Sequence, residues 1–384
     1  MRKNQIIYVI QIVLFYISYV FFKMLGVKKN KNIWVIGVSE VSGIVKSLES
    51  ILEPSISVVF DKDPFHKNRY TYNIDISNLY LRHIIRIIYG PILLGFISNK
   101  YNYFWYIWST GFLLNREFEF KFLKSKGKKI VCMFVGSDIR SPKLKLEYAK
   151  SKDIDVQEEY KSFYNKDYIS EEYEENIKKI AKLADSYADL IINAKVDQIS
   201  YLTKDQKMIP YFYDKNKFYK DEIKYKNMKK IKIVHSPTNP IGKGTPLVRA
   251  AIKKLKLENY NFEYIELFNI SNNLLLDHLR STHILLNEFY AFVPGILSIE
   301  GMANNCAVMT SADPSIEIGL GEECKNAWMI TRYWEVYDNL KYLLDNPDKI
   351  KFYADNGYDF AYKNYTFERA KEYINNILKE NSVI

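Results

Sequence analysis

Cysteine and histidine are both scarce in this chain, and neither falls into a metal-binding or redox spacing. Three cysteines, Cys132, Cys306 and Cys324, stand among 384 residues, with no CxxC pair. An odd number without framework spacing argues against a disulfide scaffold and for a reducing compartment. The five histidines form no metal-ligand motif, so no metal site can be read and neither metal nor cofactor is expected. Zinc-ligand spacings, RNP-like aromatics and basic heptads are missing too, which argues against nucleic acid as a partner. The net charge of +10 then suits anionic lipid or phosphorylated small molecules, or simply a solvated basic surface, since lysines are scattered along the whole chain.

Charge is absent altogether from Ile6 to Phe22, a run flanked by Arg2 and Lys3 before and by Lys23, Lys28, Lys29 and Lys31 after. As a helix it would reach about 26 Å, slightly less than the roughly 30 Å hydrocarbon core. A membrane anchor is expected over residues 1–30; a buried or monotopic helix and a signal peptide are the alternatives. No small-residue cleavage site follows the run. The lysine excess after it places the bulk of the chain on the cytoplasmic side of the membrane. A second apolar stretch, Leu79 to Ile97, carries Arg82 and Arg86 four residues apart, on one helix face, with Gly90-Pro91 expected to break or kink it. It reads either as a basic amphipathic lipid-binding helix or as a core helix with a charged edge.

After residue 30, short apolar strands alternate with helical patterns, the signature of parallel α/β sheets. Strands are expected at Trp34–Gly37, Val58–Asp61, Phe104–Trp108, Lys129–Val135 and Leu190–Asn193, and residues 145–175 as exposed charged helix and loop. Residues 212–229, almost without aliphatics, read as a linker. A second set follows at Ile231–His235, Phe262–Leu267, His283–Leu286, Ala307–Thr310 and Ala327–Ile330. The fold expected is α/β: an N-terminal Rossmann-like domain over 31–211 and a C-terminal one over 230–384, facing a cleft where ligands bind.

Two loops carry chemistry. The strand ending at His235 runs through Ser236 to Gly242-Lys243-Gly244-Thr245 and into a helix. Backbone N–H groups at a helix start, with a lysine alongside, suit phosphate, although this is not a Walker A loop. The second passage runs from Pro294-Gly295-Ile296-Leu297 to Glu300. A carboxylate there can accept from sugar hydroxyls, or merely complement the helix dipole.

Residues 101–375 resemble retaining glycosyltransferases of the family 4 type, especially bacterial capsule and cell-surface polysaccharide enzymes. HSPTNPIGKGT resembles that family's "HxPS" and "KGT" elements. Glu300-Gly301-Met302-Ala303 through Val308 is similar to "EAMAxGxPV", and Lys128 to Arg140 to "KKIVxxFHGSDIR". The resemblance implies a GT-B fold and transfer from a nucleotide sugar to a lipid-linked or glycan acceptor. It would place Lys243 at the donor diphosphate and Glu300 at the ribose. Ser236, Gly242, Gly244, Thr245 and Gly295 to Leu297 would line the donor pocket, Asn269 would lie near the base, and Asp138 and Arg140 would stand on the acceptor side. Asp138, Glu300 and Lys243 are its candidate catalytic residues. Two positions depart from the pattern. Phe292 stands where the paired-carboxylate signature has Glu, with Glu288 nearby but out of register, and Val135 replaces a histidine. A catalytically impaired, membrane-tethered subunit and a sugar-nucleotide epimerase are the rival readings.

Overall fold

The computed structural model describes residues 2–61, 68–164, 166–226 and 228–384; Asn227, inside the expected linker, lies outside them. After helix α1 (Arg2–Met24), the first domain runs β1 (Trp34–Ser39), α2 (Ile44–Ile51), β2 (Ser55–Asp61), β3 (Tyr72–Asn73), α3 (Leu79–Lys100), β4 (Tyr103–Ile107), α4 (Arg116–Ser125), β5 (Lys129–Met133), α5 (Pro142–Lys152), α6 (Gln157–Tyr164), α7 (Glu171–Tyr187) and β6 (Leu190–Ile192). The second runs β7 (Ile231–His235), α8 (Thr245–Leu257), β8 (Phe262–Glu266), α9 (Asn272–Arg280), β9 (Ile284–Leu286), α10 (Gly295–Ala303), β10 (Ala307–Thr310), β11 (Met329–Ile330), α11 (Val336–Asp345) and α12 (Pro347–Asn364), before the closing α13 (Phe367–Glu380).

Both sheets are wholly parallel, in the orders β3-β2-β1-β4-β5-β6 and β11-β10-β9-β7-β8. The fold is therefore the expected pair of Rossmann-like α/β domains. Strands such as β1 and β5 are continuous apolar runs because helices cover both faces of each sheet. The order reverses between β1 and β4 and between β7 and β9, and each reversal opens a crevice at the carboxyl ends of the strands. Strand β3, which the apolar pattern missed, is two residues long.

Three expectations need amendment. Residues 145–175 are not simply exposed: Lys145 and Glu158 are fully buried, drawn inward by opposite charges. Helix α3 runs through Pro91 unbroken. Proline removes one helical hydrogen bond, to the carbonyl four residues back. That carbonyl, Ile87 O, instead accepts from Nε2 of Gln11 at 3.2 Å. Arg86 does not present its charge to a lipid face; its guanidinium donates to Asp61 (3.2 Å) and to Gly111 O (3.1 Å).

The chain crosses between domains twice, side by side, where Tyr213 N donates to Tyr365 O at 2.6 Å. Beyond the second crossing, α13 buries Ala370, Ile374, Ile377 and Leu378 against the first sheet with residues of α2. A segment that the sequence pattern places in the second half thus ends in the core of the first. Part of the expected linker also docks: Tyr225 is buried in the second core, and its hydroxyl donates to Asn305 O at 2.5 Å.

Candidate active site

A cleft of about 450 Å³ lies between the carboxyl edges of the two sheets. From the first domain it is lined by Ser42 after β1, Trp108 after β4, Val135 to Ser137 after β5, and Asn193 and Asp197 after β6. From the second it takes Thr238, Lys243, Glu288, Gly295 and Ile296. A smaller hollow adjoins it, sharing Ser42, Ile44, Phe212 and Ile296 and reaching Asn272 and Glu300.

The lysine of the glycine loop does point into the cleft, where its ammonium donates to Oε2 of Glu288. Glu288 follows β9, and its carboxylate also lies against the start of α10. A Cβ built on Gly295 would fall 2.9 Å from its Oε1, and Gly295 holds a positive φ of 67° that suits glycine. Helix α10 has no side-chain cap, and Gly295 N donates to the Tyr211 hydroxyl at 3.2 Å. The Glu288 carboxylate therefore sits between a lysine and a helix N-terminus, where those groups favour an anion. Burial pushes this carboxyl up, and the Lys243 charge opposes the shift. The sequence placed Glu288 near the missing carboxylate position but out of register; its pairing with Lys243 is made across 45 residues.

Glu300 is buried on α10, and its Oε1 accepts from Nδ2 of Asn272 at 2.6 Å, at the first turn of α9. Lys243, Gly295, Ile296, Glu300 and Arg140 are thus brought to the cleft and its annex. Other sequence candidates turn elsewhere. Thr245 is buried, its hydroxyl bonded to Nε2 of His235 at 2.9 Å, while Nδ1 of that histidine meets Leu286 O at 2.8 Å. Burial lowers the His235 pKa to about 4, so the ring is neutral and structural. The Ser236 hydroxyl donates to Leu267 O at 3.2 Å. Leu297 packs into the second core. Gly242 and Gly244 are buried in the turn that starts α8, and Gly244, at φ 77°, is its N-cap. Asn269 is exposed on the loop before α9, outside the lining of either hollow.

On the opposite wall, Asp138 is turned in. Its Oδ1 accepts from the N–H groups of Val135 (3.2 Å) and Gly136 (2.9 Å), and Oδ2 is buried without a hydrogen-bond partner among the described residues. Burial raises its pKa to about 7. Arg140 reaches the cleft with its guanidinium already engaged, 2.6 Å from Oδ2 of Asp197 and 3.4 Å from Glu158. Asp197 also accepts from Phe292 N of the second domain at 2.8 Å. Phe292, where the resemblance would put a carboxylate, lies under the Lys145 ammonium, 3.9 Å from ring centre to Nζ. Glu317 Oε2 accepts in turn from Val196 N and Asp197 N, each at 2.8 Å. These contacts clasp the two domains. Among the described residues, no three His, Cys, Asp or Glu side chains cluster as a metal site.

No protein-family model matches the chain, and no curated protein sequence does either. Solved structures do. HepE of Anabaena, crystallised with UDP-glucose, superposes with TM-score 0.56 at 11% identity, over 91% of this chain and 99% of that one. Sucrose-phosphate synthase of Thermosynechococcus elongatus gives 0.58 at 11%, over 91% and 99%. WaaG, a glycosyltransferase involved in lipopolysaccharide biosynthesis, gives 0.50 at 10%, over 86% and 95%. At such identities the likeness is one of fold: two facing Rossmann-like domains, the GT-B arrangement.

Proposed function

We propose that the chain is a glycosyltransferase that moves a sugar from a nucleotide-sugar donor to a lipid-linked or glycan acceptor in surface or capsular polysaccharide biosynthesis. Its place would be the cytoplasmic face of a bacterial inner membrane. One observation carries the reading: Lys243 and the start of α10 converge on one point of the cleft, with Glu300 and Asn272 in the hollow beside it. A diphosphate would displace the Glu288 carboxylate from that point, and a ribose would meet Glu300. The leaving diphosphate would be stabilised electrostatically, with no metal required. The fold shared with HepE, which is seen with UDP-glucose, is consistent with such a donor.

Retention of configuration is the stereochemistry this reading favours. An inverting transferase needs a free general base near the acceptor hydroxyl. Asp138 is turned inward, and Asp197 is saturated by Arg140 and held at a pKa of about 2. In front-face transfer the anomeric C–O bond to the β-phosphate breaks as the acceptor oxygen attacks the same face. The acceptor proton passes to the departing phosphate oxygen. Glu300→Ala is expected to lose most activity with the fold intact, and NMR of the first-formed product to show the donor's anomeric configuration. An inverted product would overturn retention; release of no nucleoside diphosphate on adding acceptor, at any donor, would favour the impaired subunit. Interconversion of the sugar nucleotide without acceptor would favour the epimerase.

Donor binding is tested separately. Truncating Lys243 alone would strand a buried carboxylate, so the clean comparison is Lys243→Ala/Glu288→Gln against Glu288→Gln. Calorimetry with nucleoside diphosphates is expected to show binding weaker by about 1.5–3 kcal/mol, the worth of a charge-assisted hydrogen bond. Equal affinities would remove Lys243 from the site.

A further inference from the structure

Helix α1 is inside out for a helix in water. Ile6, Val9, Val13, Ile17, Val20 and Met24 recur at helical spacing and are all exposed, whereas the polar Gln11 and Ser18 face the protein and are buried. In water the apolar stripe would be the buried one. The outward face continues onto the start of α3, where Leu79, Tyr80, Leu81, Ile84 and Ile88 are exposed. A contiguous apolar face of this kind marks an interaction site.

The inward face is built for its place. Gln11 fills the hydrogen-bonding gap that Pro91 leaves at Ile87 O, while its Oε1 accepts from Leu114 N at 2.9 Å. Ser18 donates to Ile92 O at 2.8 Å, and Asn99 to Tyr19 O at 2.9 Å. Gly95 gives α1 its close approach, since a Cβ there would stand 2.5 Å from the Ser18 hydroxyl. Phe15 is buried edge-on to Phe122 of α4, ring centres 4.6 Å apart.

These pairings, Gln11 with Ile87 and Ser18 with Ile92, set α1 and α3 parallel. Two parallel helices cannot both span a bilayer here, because the chain between them forms β1 to β3 of a single sheet and would have to recross. Were α1 to span alone, Ile87 O and Leu114 N would lose their partners and Gln11 would enter hydrocarbon, each a cost. Exposed Lys23, Lys28, Lys29 and Lys31 follow the stripe, and Lys126 lies over the rings of Tyr19 and Phe122. Such lysines complement an anionic lipid surface.

We propose that α1 and the N-terminal half of α3 form one docked platform that lies in the plane of a single anionic leaflet and does not cross the membrane. This rests on the membrane part of the proposed function and refines it. The platform has a direction as well. Arg86, near the middle of α3, already reaches Asp61 and Gly111 at the carboxyl ends of β2 and β4, so the tip from Leu79 to Ile84 projects past the sheet edge where the cleft opens. A lipid-borne acceptor would be presented beside that opening.

The test uses the full chain. It is expected to float with vesicles of phosphatidylethanolamine and phosphatidylglycerol, less with phosphatidylcholine alone, and less at high salt. Val13→Glu/Ile17→Glu should cut binding by at least about tenfold, as charges set into apolar lipid do, with an unchanged melting curve. Tyr80→Glu/Ile84→Glu reads the same face should the first variant not fold. The native cysteines are buried, so Gln5→Cys and Lys28→Cys can be labelled selectively with an impermeant maleimide. In inverted membrane vesicles both are expected to react from the cytoplasmic face. Reaction of Gln5→Cys only from the opposite face would overturn the in-plane platform and leave the membrane reading standing. A chain that floats with no vesicle, and whose Val13→Glu/Ile17→Glu variant dissociates a dimer by light scattering, would assign the face to a second copy and overturn both.

Discussion

Replacing Asp197 by Ala is expected to destabilise the folded protein by roughly 3–5 kcal/mol, the range for breaking a buried ion pair by removing one partner. Asp197 is buried, and burial alone would raise its pKa. The charges of Arg140 and Lys145 and the N–H of Phe292 outweigh burial and hold it at about 2. Without the carboxylate, Arg140 keeps its 2.6 Å bond to the carbonyl of residue 197 but only Glu158, at 3.4 Å, as an ion-pair partner, and Lys145, already lowered to about 8 by burial, loses its nearest anion. The clasp on Phe292 opens at the same stroke. Asp197→Asn keeps an acceptor for that N–H and should cost less. The folded pKa lies below the ordinary 3.8, so this stabilisation is present above about pH 4 and is lost as pH falls towards 2. Urea unfolding at neutral pH decides it: a loss under about 1 kcal/mol, the scale of an exposed pair, would mean that the network does not hold the domains.

Asp138→Asn is expected to change the pH dependence of stability while leaving the proposed transferase activity measurable. Burial puts the folded pKa at about 7 against an ordinary 3.8. Below about pH 4 both folded and unfolded chains hold the proton, and the stabilising contribution is complete. As pH rises towards 7 the unfolded chain releases a proton that the folded chain keeps, and stability falls. At about 1.4 kcal/mol per pKa unit the full loss is about 4 kcal/mol. Asparagine mimics the protonated acid and removes the effect, so the variant gains on the native protein with every unit across that window. Denaturation curves from acid to neutral pH should diverge accordingly. Parallel curves would show that Asp138 titrates normally, and loss of all activity would return it to the reaction.

The alternating halves were legible because each strand is a local run: Ile231–His235 and Ala307–Thr310 begin and end where the apolar pattern does. Lys243 and Glu300 could be named for the same reason, one in a glycine loop before a helix, the other on a helix after one. Asp138 and Arg140 were legible as loop residues, but how the fold engages them was not: Asp138 turns in on the N–H groups of Val135 and Gly136. Arg140 meets Asp197 across 57 residues. The Pro91 break did not occur because Gln11, from another helix, takes the carbonyl that proline vacates.

The sequence by itself determined the two parallel sheets, the glycine–lysine loop, the carboxylate of α10 and the uncharged first helix, since each depends on residue spacing within a short stretch. Tertiary structure alone decided which charges neutralise one another, that Glu288 pairs with Lys243, that α13 returns to the first core, and that α1 turns its polar side inward. Those outcomes depend on burial and on partners far along the chain: Phe292 reaches Asp197 across 95 residues. A buried charge must be matched wherever the fold can supply the match, and no local pattern records where that is.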